Sequence, residues 1–215
     1  MSVLRKLVCL AAGVGALMMV AGAQAADTGN GEFSGGTFTC LQFSNGLGDN
    51  ASGKMQSNLA RLWMLGYLAG YYKAQGKLEM SEDPGDVRKL DDLIVQKCKE
   101  FPQATIFAVS AQMLATESHK LPKSVTSDFS PGTYTCGQHV DAKGGVASDA
   151  NKADLAEMWA FAFIQGAKNV ASPNMEIRAE NKPQLIAVMN KACGNARDTL
   201  YADLAALVAE KVKIQ

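Results

Sequence analysis

The sequence predicts an all-α protein made of two tandem small helical domains, each stapled by a disulfide and each containing about three helices. The first observation is an internal repeat: the stretch Gly-Thr-Phe-Thr-Cys at 36–40 returns as Gly-Thr-Tyr-Thr-Cys at 132–136, 96 positions later. The second is a tryptophan 23 positions after each of these cysteines, Trp63 and Trp159. The third is apolar spacing in threes and fours around both tryptophans, which is typical of amphipathic helices.

The first 25 residues have the pattern of a signal peptide. A basic start precedes an apolar run at 7–20, which is too short to span a bilayer, and the small-x-small pattern Ala-Gln-Ala ends at Ala25. We expect cleavage after Ala25 and export to the periplasm, which would remove Cys9 with the signal. A polar leader at 26–36 would then begin the mature chain.

Four cysteines remain after this cleavage, namely Cys40, Cys98, Cys136 and Cys193. An even number in an exported protein indicates a disulfide framework, although four cysteines allow three pairings. The repeat favours Cys40 with Cys98 and Cys136 with Cys193, because duplicated units normally keep their internal bonds. Closing loops of 58 and 57 positions would remove about 4 kcal/mol of unfolded-state entropy each.

The repeat divides the mature chain into a first copy at 37–116, a linker at 117–131 and a second copy at 132–215. Copies this short build a modest core, so a disulfide in each has a structural role. Without residues 1–25, the chain has 19 Lys and Arg against 21 Asp and Glu. This balance argues against nucleic acid and against a membrane-binding basic face.

The sequence patterns that predict helices occur in the same order within each copy. Residues 41–53 are expected to form a turn-rich loop, and Gly66 and Gly70 lie on one helix face that a neighbouring helix can approach closely. In the second copy, Ser148 is a candidate helix cap and Gly194 a candidate helix stop. The predicted helices span about 55–74, 86–99 and 102–114 in the first copy, and about 149–170, 183–193 and 195–212 in the second.

No arrangement of residues predicts catalysis or a metal site. The histidines, His119 and His139, have no matching positions in the two copies, and neither a Cys-x-x-Cys pair nor a nucleophile elbow is present. Asp91, Asp92 and Glu157 are expected on solvated helix faces. We therefore predict that the protein is not an enzyme and needs neither cofactor nor metal.

Three stretches of the first copy resemble the HdeA/HdeB acid-stress chaperones: Thr-Cys-Leu-Gln-Phe at 39–43, Leu-Trp-Met-Leu at 62–65 and Lys-Cys-Lys-Glu-Phe-Pro-Gln at 97–103. The second copy keeps the two cysteines and the tryptophan but has Gly-Asn-Ala at 194–196. Members of that family are small exported helical proteins with one disulfide, usually with a single domain. The chain therefore resembles a tandem duplication of such a unit.

The resemblance implies a periplasmic holdase that is a folded dimer near neutral pH, loosens in acid and binds unfolding clients through apolar surface. The candidate client-binding residues are Trp63, Tyr67, Trp159 and Phe163, which we expect in the core at neutral pH. The two copies are expected to act as a pseudo-dimer within the chain, or the protein as a homodimer. With its acids neutralised, the mature chain would carry about +21, from 19 Lys and Arg and two protonated His.

Another class of protein fits the same pattern. Exported helical proteins with disulfides include immunity or inhibitor-like modules, which bind one specific periplasmic protein and have no catalytic activity. A module that binds a small ligand is a further alternative. In each protein-binding hypothesis the partner is a protein, unfolded or specific, with no nucleic acid and no stable membrane insertion after signal removal.

Overall fold

The computed structural model describes residues 33–48, 51–114, 120–125, 129–145 and 147–212, which belong to one compact unit. Eight α-helices in these ranges account for most of the described chain, so the mainly helical class is confirmed. The predicted signal peptide and most of the predicted leader lie outside the described residues.

The described residues of each copy form four α-helices where the sequence predicted about three. Two short β-strands and one turn of 3₁₀ helix at Ala179–Asn181 complete the described elements. The elements of the first copy and linker are α1 (Cys40–Gly46), α2 (Ala51–Ala74), β1 (Met80–Ser81), α3 (Pro84–Glu100), α4 (Ile106–Met113) and β2 (Leu121–Pro122). Those of the second copy are α5 (Cys136–Gly144), α6 (Ala147–Ala171), α7 (Lys182–Asn195) and α8 (Tyr201–Lys211).

The segment 41–53 was predicted as a loop, but α1 covers its first six residues and α2 its last three, so that prediction was wrong. A capping box starts the helix: the Thr39 hydroxyl accepts from the Gln42 amide at 3.3 Å, and the Thr39 amide donates to the Gln42 side chain at 2.8 Å. Thr135 and Gln138 repeat this arrangement at α5. Local capping therefore overrides the turn preference of the Asn and Gly residues that follow.

The sequence predicted that the last helix of the first copy begins at Pro102, but α4 begins at Ile106. The Thr105 hydroxyl caps it by accepting from the Ala108 amide at 3.2 Å. The residues before Ile106 are hydrogen-bonded to the start of the copy instead, since the Ala104 carbonyl accepts from the Cys40 amide at 2.9 Å.

Three boundaries in the second copy also differ from the predictions. Helix α6 begins at Ala147, so Ser148 lies inside its first turn, and α7 continues through Gly194. Helix α8 begins at Tyr201. The Tyr201 amide donates to the carbonyl of Tyr134 at 2.9 Å, and this tie holds the preceding residues in an extended bridge instead of a helix.

The predicted linker contains a strand that the sequence did not indicate. Strand β2 pairs in parallel with β1, with Met80 opposite Leu121 and Ser81 opposite Pro122. Leu121 is buried, which anchors the pair in the core. The β2 segment of the linker is thus tied to the first copy.

The two longest helices, α2 and α6, lie along each other and form the most extensive helix contact in the described chain. Helices α1 and α4 pack on α2, with α3 against both. Helices α5 and α8 pack on α6, and α7 contacts all three. The buried apolar residues of both copies join in one core cluster around α2 and α6.

Candidate functional site

The four candidate client-binding residues lie on the two central helices, Trp63 and Tyr67 on α2 and Trp159 and Phe163 on α6. All four are buried, with exposed fractions of 3% or less. The expectation that they are core residues in the folded state agrees with this burial. Nothing in their placement makes them accessible to a client while the helices stay packed.

Glycines let α2 and α6 approach at backbone contact. A Cβ atom on Gly70 would overlap the carbonyl oxygen of Phe163, and one on Gly166 would overlap that of Tyr67. Gly66 makes a third close approach, since its Cβ would lie 2.6 Å from the carbonyl oxygen of Trp159. The face that the sequence marked for close helix packing thus faces the other copy.

The contact is reciprocal. Gly166 is the counterpart of Gly70 in the repeat, and Phe163 is the counterpart of Tyr67. Gly70 contacts the backbone of Phe163 in the second copy, and Gly166 contacts the backbone of Tyr67 in the first. The two contacts therefore join equivalent positions with the copies exchanged. Such a relation is the signature of a two-fold, isologous interface.

The aromatic side chains themselves pack inside their own copies. In the first copy, Trp63 stacks on Tyr67 with ring centroids 5.6 Å apart, and Phe107 of α4 meets both rings edge-on. In the second copy, the ring centroid of Trp159 lies 5.1 Å from that of Phe163 and 6.0 Å from that of Phe129, at the end of the linker. Uncovering these rings therefore requires loosening within a copy as well as separation of α2 from α6.

Two disulfides, Cys40–Cys98 and Cys136–Cys193, join α1 to α3 and α5 to α7. This is the pairing that the repeat favoured, and all four cysteines are fully buried. Both bonds lie within a copy. Disulfides of this kind are typical of oxidising, exported compartments.

The second copy contains a polar group of side chains around a buried histidine, here called the His139 cluster. It consists of His139 and Lys143 from α5, Glu157 from α6, Asn190 from α7 and Tyr201 from α8. The His139 side chain is only 1% exposed, and its Nε2 lies 2.8 Å from Asn190 Oδ1 and 3.5 Å from Glu157 Oε1. Its ring packs on Tyr201 with centroids 4.5 Å apart.

Glu157 is the charged centre of this cluster, and the prediction that it lies on a solvated helix face was wrong. Its carboxylate is 14% exposed, 3.0 Å from Lys143 Nζ, and accepts from Asn190 Nδ2 at 3.3 Å. Burial pushes the pKa of Glu157 upward, but hydrogen bonds from His139, Lys143 and Asn190 and the Lys143 charge outweigh it and lower that pKa to about 2. The Glu157 carboxylate thus stays ionised at pH values well below the ordinary pKa of a glutamate.

Asp91 of the first copy also departs from the expected solvated face. It forms an ion pair with Arg61 at 2.6 Å, and the two side chains are 34% and 29% exposed. Burial raises the pKa of Asp91 despite the attraction of Arg61. The pKa values of Asp91 and Glu157 are therefore shifted in opposite directions.

A signal for the His139 cluster exists in the alignment of the two copies. The counterparts of His139, Asn190 and Tyr201 are Phe43, Val95 and Ile106, so polar or aromatic-polar residues replace apolar ones at matching positions. Such a replacement at a core position indicates a buried polar network with partners elsewhere in the same copy.

The described ranges contain no group of three or more His, Cys, Asp and Glu side chains placed to hold a metal ion. None of their helices combines the length and apolar character needed to cross a membrane.

No protein family, curated protein or solved structure gives a significant match to this chain.

Proposed function

We propose that the protein is an exported, periplasmic acid-stress chaperone of the holdase type, which loosens at low pH and binds unfolding clients through the apolar faces of α2 and α6. The observation that carries this proposal is the covering of Trp63, Tyr67, Trp159 and Phe163 by non-covalent helix packing. Both disulfides lie elsewhere, between α1 and α3 and between α5 and α7. The aromatic faces can therefore open while each copy keeps its covalent staple.

The reciprocal glycine contact supports the idea that the chain is its own pseudo-dimer. In an isologous pair the same surface serves both partners, and Gly70 with Phe163 mirrors Gly166 with Tyr67. We propose two tandem units of the HdeA/HdeB type, joined so that each covers the apolar helix of the other. This arrangement does for one chain what the dimer does in the family that the first copy resembles.

Charge supplies the acid trigger. Neutralising the 21 acids of the chain leaves its Lys, Arg and His charges unbalanced, and the resulting self-repulsion favours an expanded state. Glu157 adds to this effect. Because its folded-state pKa, about 2, lies below the unfolded value, its stabilisation is present above about pH 4.5 and is lost as the pH falls toward 2.

The decisive experiment measures aggregation of an acid-sensitive client protein with and without the purified protein. We expect suppression at about pH 2 to 4 and much weaker suppression at pH 7, since the apolar faces are covered at neutral pH. Intrinsic tryptophan fluorescence, recorded in the same samples, should shift to the red over the same pH range. Negligible suppression at both pH values would count against a chaperone.

A second candidate, binding of one folded partner protein, is favoured by exposed apolar side chains of the first copy. Leu41 and Phe101 are 43% and 42% exposed, and the Leu41 amide donates to the carbonyl of Pro102, next to Phe101, at 2.8 Å. Their counterparts in the second copy are the small residues Gly137 and Ala196. This apolar pair is therefore specific to the first copy.

The double variant Leu41→Ser/Phe101→Ser separates the two candidates. A holdase that works through α2 and α6 should keep its acid-dependent suppression of aggregation in this variant. A specific binder should form one stoichiometric complex in a periplasmic extract at pH 7, and the variant should lose it.

A further inference from the structure

The two copies differ in chemistry at one position of the shared fold. Where the second copy has the His139 cluster, the first copy has Phe43 in place of His139, Val95 in place of Asn190 and Ile106 in place of Tyr201. Phe43 and Ile106 are buried, with exposed fractions of 3% and 0%. The first copy is thus closed by apolar packing where the second depends on ionisable groups.

At neutral pH the charges and the Nε2–H donor of the His139 cluster have partners. Asn190 Oδ1 is an acceptor, so the imidazole donates to it through Nε2–H over 2.8 Å. In that tautomer the proton is on Nε2, and His139 Nδ1 is a buried nitrogen without a hydrogen-bond partner among the described residues. The Glu157 carboxylate balances Lys143 at 3.0 Å.

Acid removes this compensation in two ways. A proton on His139 Nδ1 would create a buried N–H donor with no acceptor among the described residues and a positive charge whose counterion is Glu157, 3.5 Å from Nε2. Protonation of Glu157 then leaves the His139 cation beside a neutral carboxyl group; His139 is only 1% exposed, whereas Lys143 is 41% exposed and stays solvated by water. A buried charge that loses its partner destabilises its surroundings strongly.

The other charged groups around the cluster do not replace Glu157. Asp154 of α6 lies 3.7 Å from Lys143 and is 70% exposed, and Asp141 of α5 pairs with Arg197 at 2.7 Å on the surface. Helix α7 contributes the neutral amide of Asn190 to the cluster, and α8 contributes the phenol of Tyr201. Neither group is an anion in acid, so neither can replace the charge of Glu157.

We propose that the second copy is the half of the protein that opens first in acid, because the His139 cluster loses its charge compensation there, while the first copy keeps its fold. Its use as a trigger for client binding rests on the proposed function. The order of opening does not, and can be measured without a client.

The ion pair of the first copy responds differently. Arg61 and Asp91 are each about one-third exposed, so water can solvate Arg61 when Asp91 is protonated. Burial also raises the pKa of Asp91, and a raised folded-state pKa means that protonation of this carboxyl favours the folded state as the pH falls. Acid therefore withdraws less from the interior of the first copy than from that of the second.

Hydrogen exchange followed by mass spectrometry on the purified protein tests the order of opening. Peptides from α5, α6 and α7 should lose protection at a higher pH than peptides from α2 and α3, with exchange times corrected for the intrinsic pH dependence of amide exchange. We expect the two midpoints to differ by about 0.5 pH unit or more. Simultaneous opening of both copies, opening of the first copy before the second, or full protection of both down to pH 2 would overturn the proposal.

A variant carrying the first-copy residues identifies the cause. His139→Phe/Asn190→Val introduces the side chains that the first copy has at these positions, so the site is expected to accept them. The opening midpoint of the second copy should fall by about 0.5 pH unit or more, whereas Asp91→Asn in the first copy should leave that midpoint unchanged. An unchanged midpoint in the double variant would overturn the role of the cluster.

The outcomes separate this inference from the proposed function. If the second copy opens first but client aggregation is not suppressed, the order of opening stands and the chaperone proposal fails. If aggregation is suppressed while both copies open together, the reverse holds.

Discussion

Gly70 of α2 lies so close to Phe163 of α6 that a methyl group at position 70 would overlap the carbonyl oxygen of Phe163. The same relation, with the copies exchanged, holds between Gly166 and Tyr67. Glycine costs about 1 kcal/mol in a helix interior relative to alanine. The chain places it at matching positions in both central helices, where backbone contact between the copies requires the absence of a side chain.

Gly70→Ala should therefore destabilise the protein. Overpacking costs about 1–3 kcal/mol, reduced by up to about 1 kcal/mol because alanine favours the helix. Urea unfolding at pH 7, followed by circular dichroism, measures the change in the free energy of unfolding.

Gly194→Ala is the matched control, because Gly194 lies within α7 and a Cβ there meets nothing within 4 Å. This variant should be neutral or up to about 1 kcal/mol more stable. Equal unfolding free energies for the two variants would mean that the α2–α6 contact yields at no cost.

Removal of one disulfide tests what holds each copy together. Cys40→Ala/Cys98→Ala opens a loop of 58 positions and should lower the free energy of unfolding by about 2–4 kcal/mol. The loop of Cys136→Ala/Cys193→Ala is almost the same length, at 57 positions, so the chain-entropy account expects a similar loss. Guanidinium unfolding of both double variants at pH 7 provides the comparison. A loss below about 1 kcal/mol in both would show that the bonds do not restrict the unfolded chain as that account requires.

The repeat explains why much of the fold was predictable. Two cysteine pairs at matching offsets favoured the disulfides that form, and the apolar spacing around Trp63 and Trp159 located both central helices. Gly66 and Gly70 also indicated a close helix contact before its partner was known. These features depend on local periodicity or on comparison of the copies, and both are visible in a sequence.

The missed features depend on contacts between segments distant in the chain. Strand β2 forms because Leu121 packs in the core and pairs with Met80 of β1. A strand of two residues is too short to show an alternating pattern in the sequence. Glu157 was expected in solvent because its partners, His139 and Asn190, come from other helices. The division into two domains and the family resemblance stay predictions.

The capping box at α1 gives a prediction about local structure. Thr39→Ala removes the hydroxyl that accepts from the Gln42 amide at 3.3 Å, and should cost about 1 kcal/mol. Thr39→Ser keeps the hydroxyl and is the control, with most of the stability retained. Thermal unfolding of both variants distinguishes them, and equal losses would indicate that the methyl group matters more than the cap.

Glu157→Gln tests the pH dependence of the second copy. The pKa of Glu157 is lowered from 4.5 to about 2 in the folded protein, because hydrogen bonds from His139 and Lys143 outweigh burial. A lowered carboxyl pKa stabilises the fold above the unfolded value and loses that effect as the pH falls through the folded value. The variant should therefore be less stable than the natural protein by about 1–2 kcal/mol at pH 7, a figure reduced for partial solvent exposure. The difference should shrink between about pH 4.5 and pH 2.

Urea unfolding of both proteins at a series of pH values measures this difference directly. Glu180→Gln serves as the control, because Glu180 pairs with Arg178 at the surface and its side chain is 65% exposed. Exposed pairs of this kind contribute little, so the control should stay within about 0.5 kcal/mol of the natural protein at every pH. A Glu157→Gln penalty that is the same at pH 7 and pH 2.5 would show that the carboxylate stabilises the second copy through its shape and hydrogen bonds, and that its charge does not couple the fold to pH.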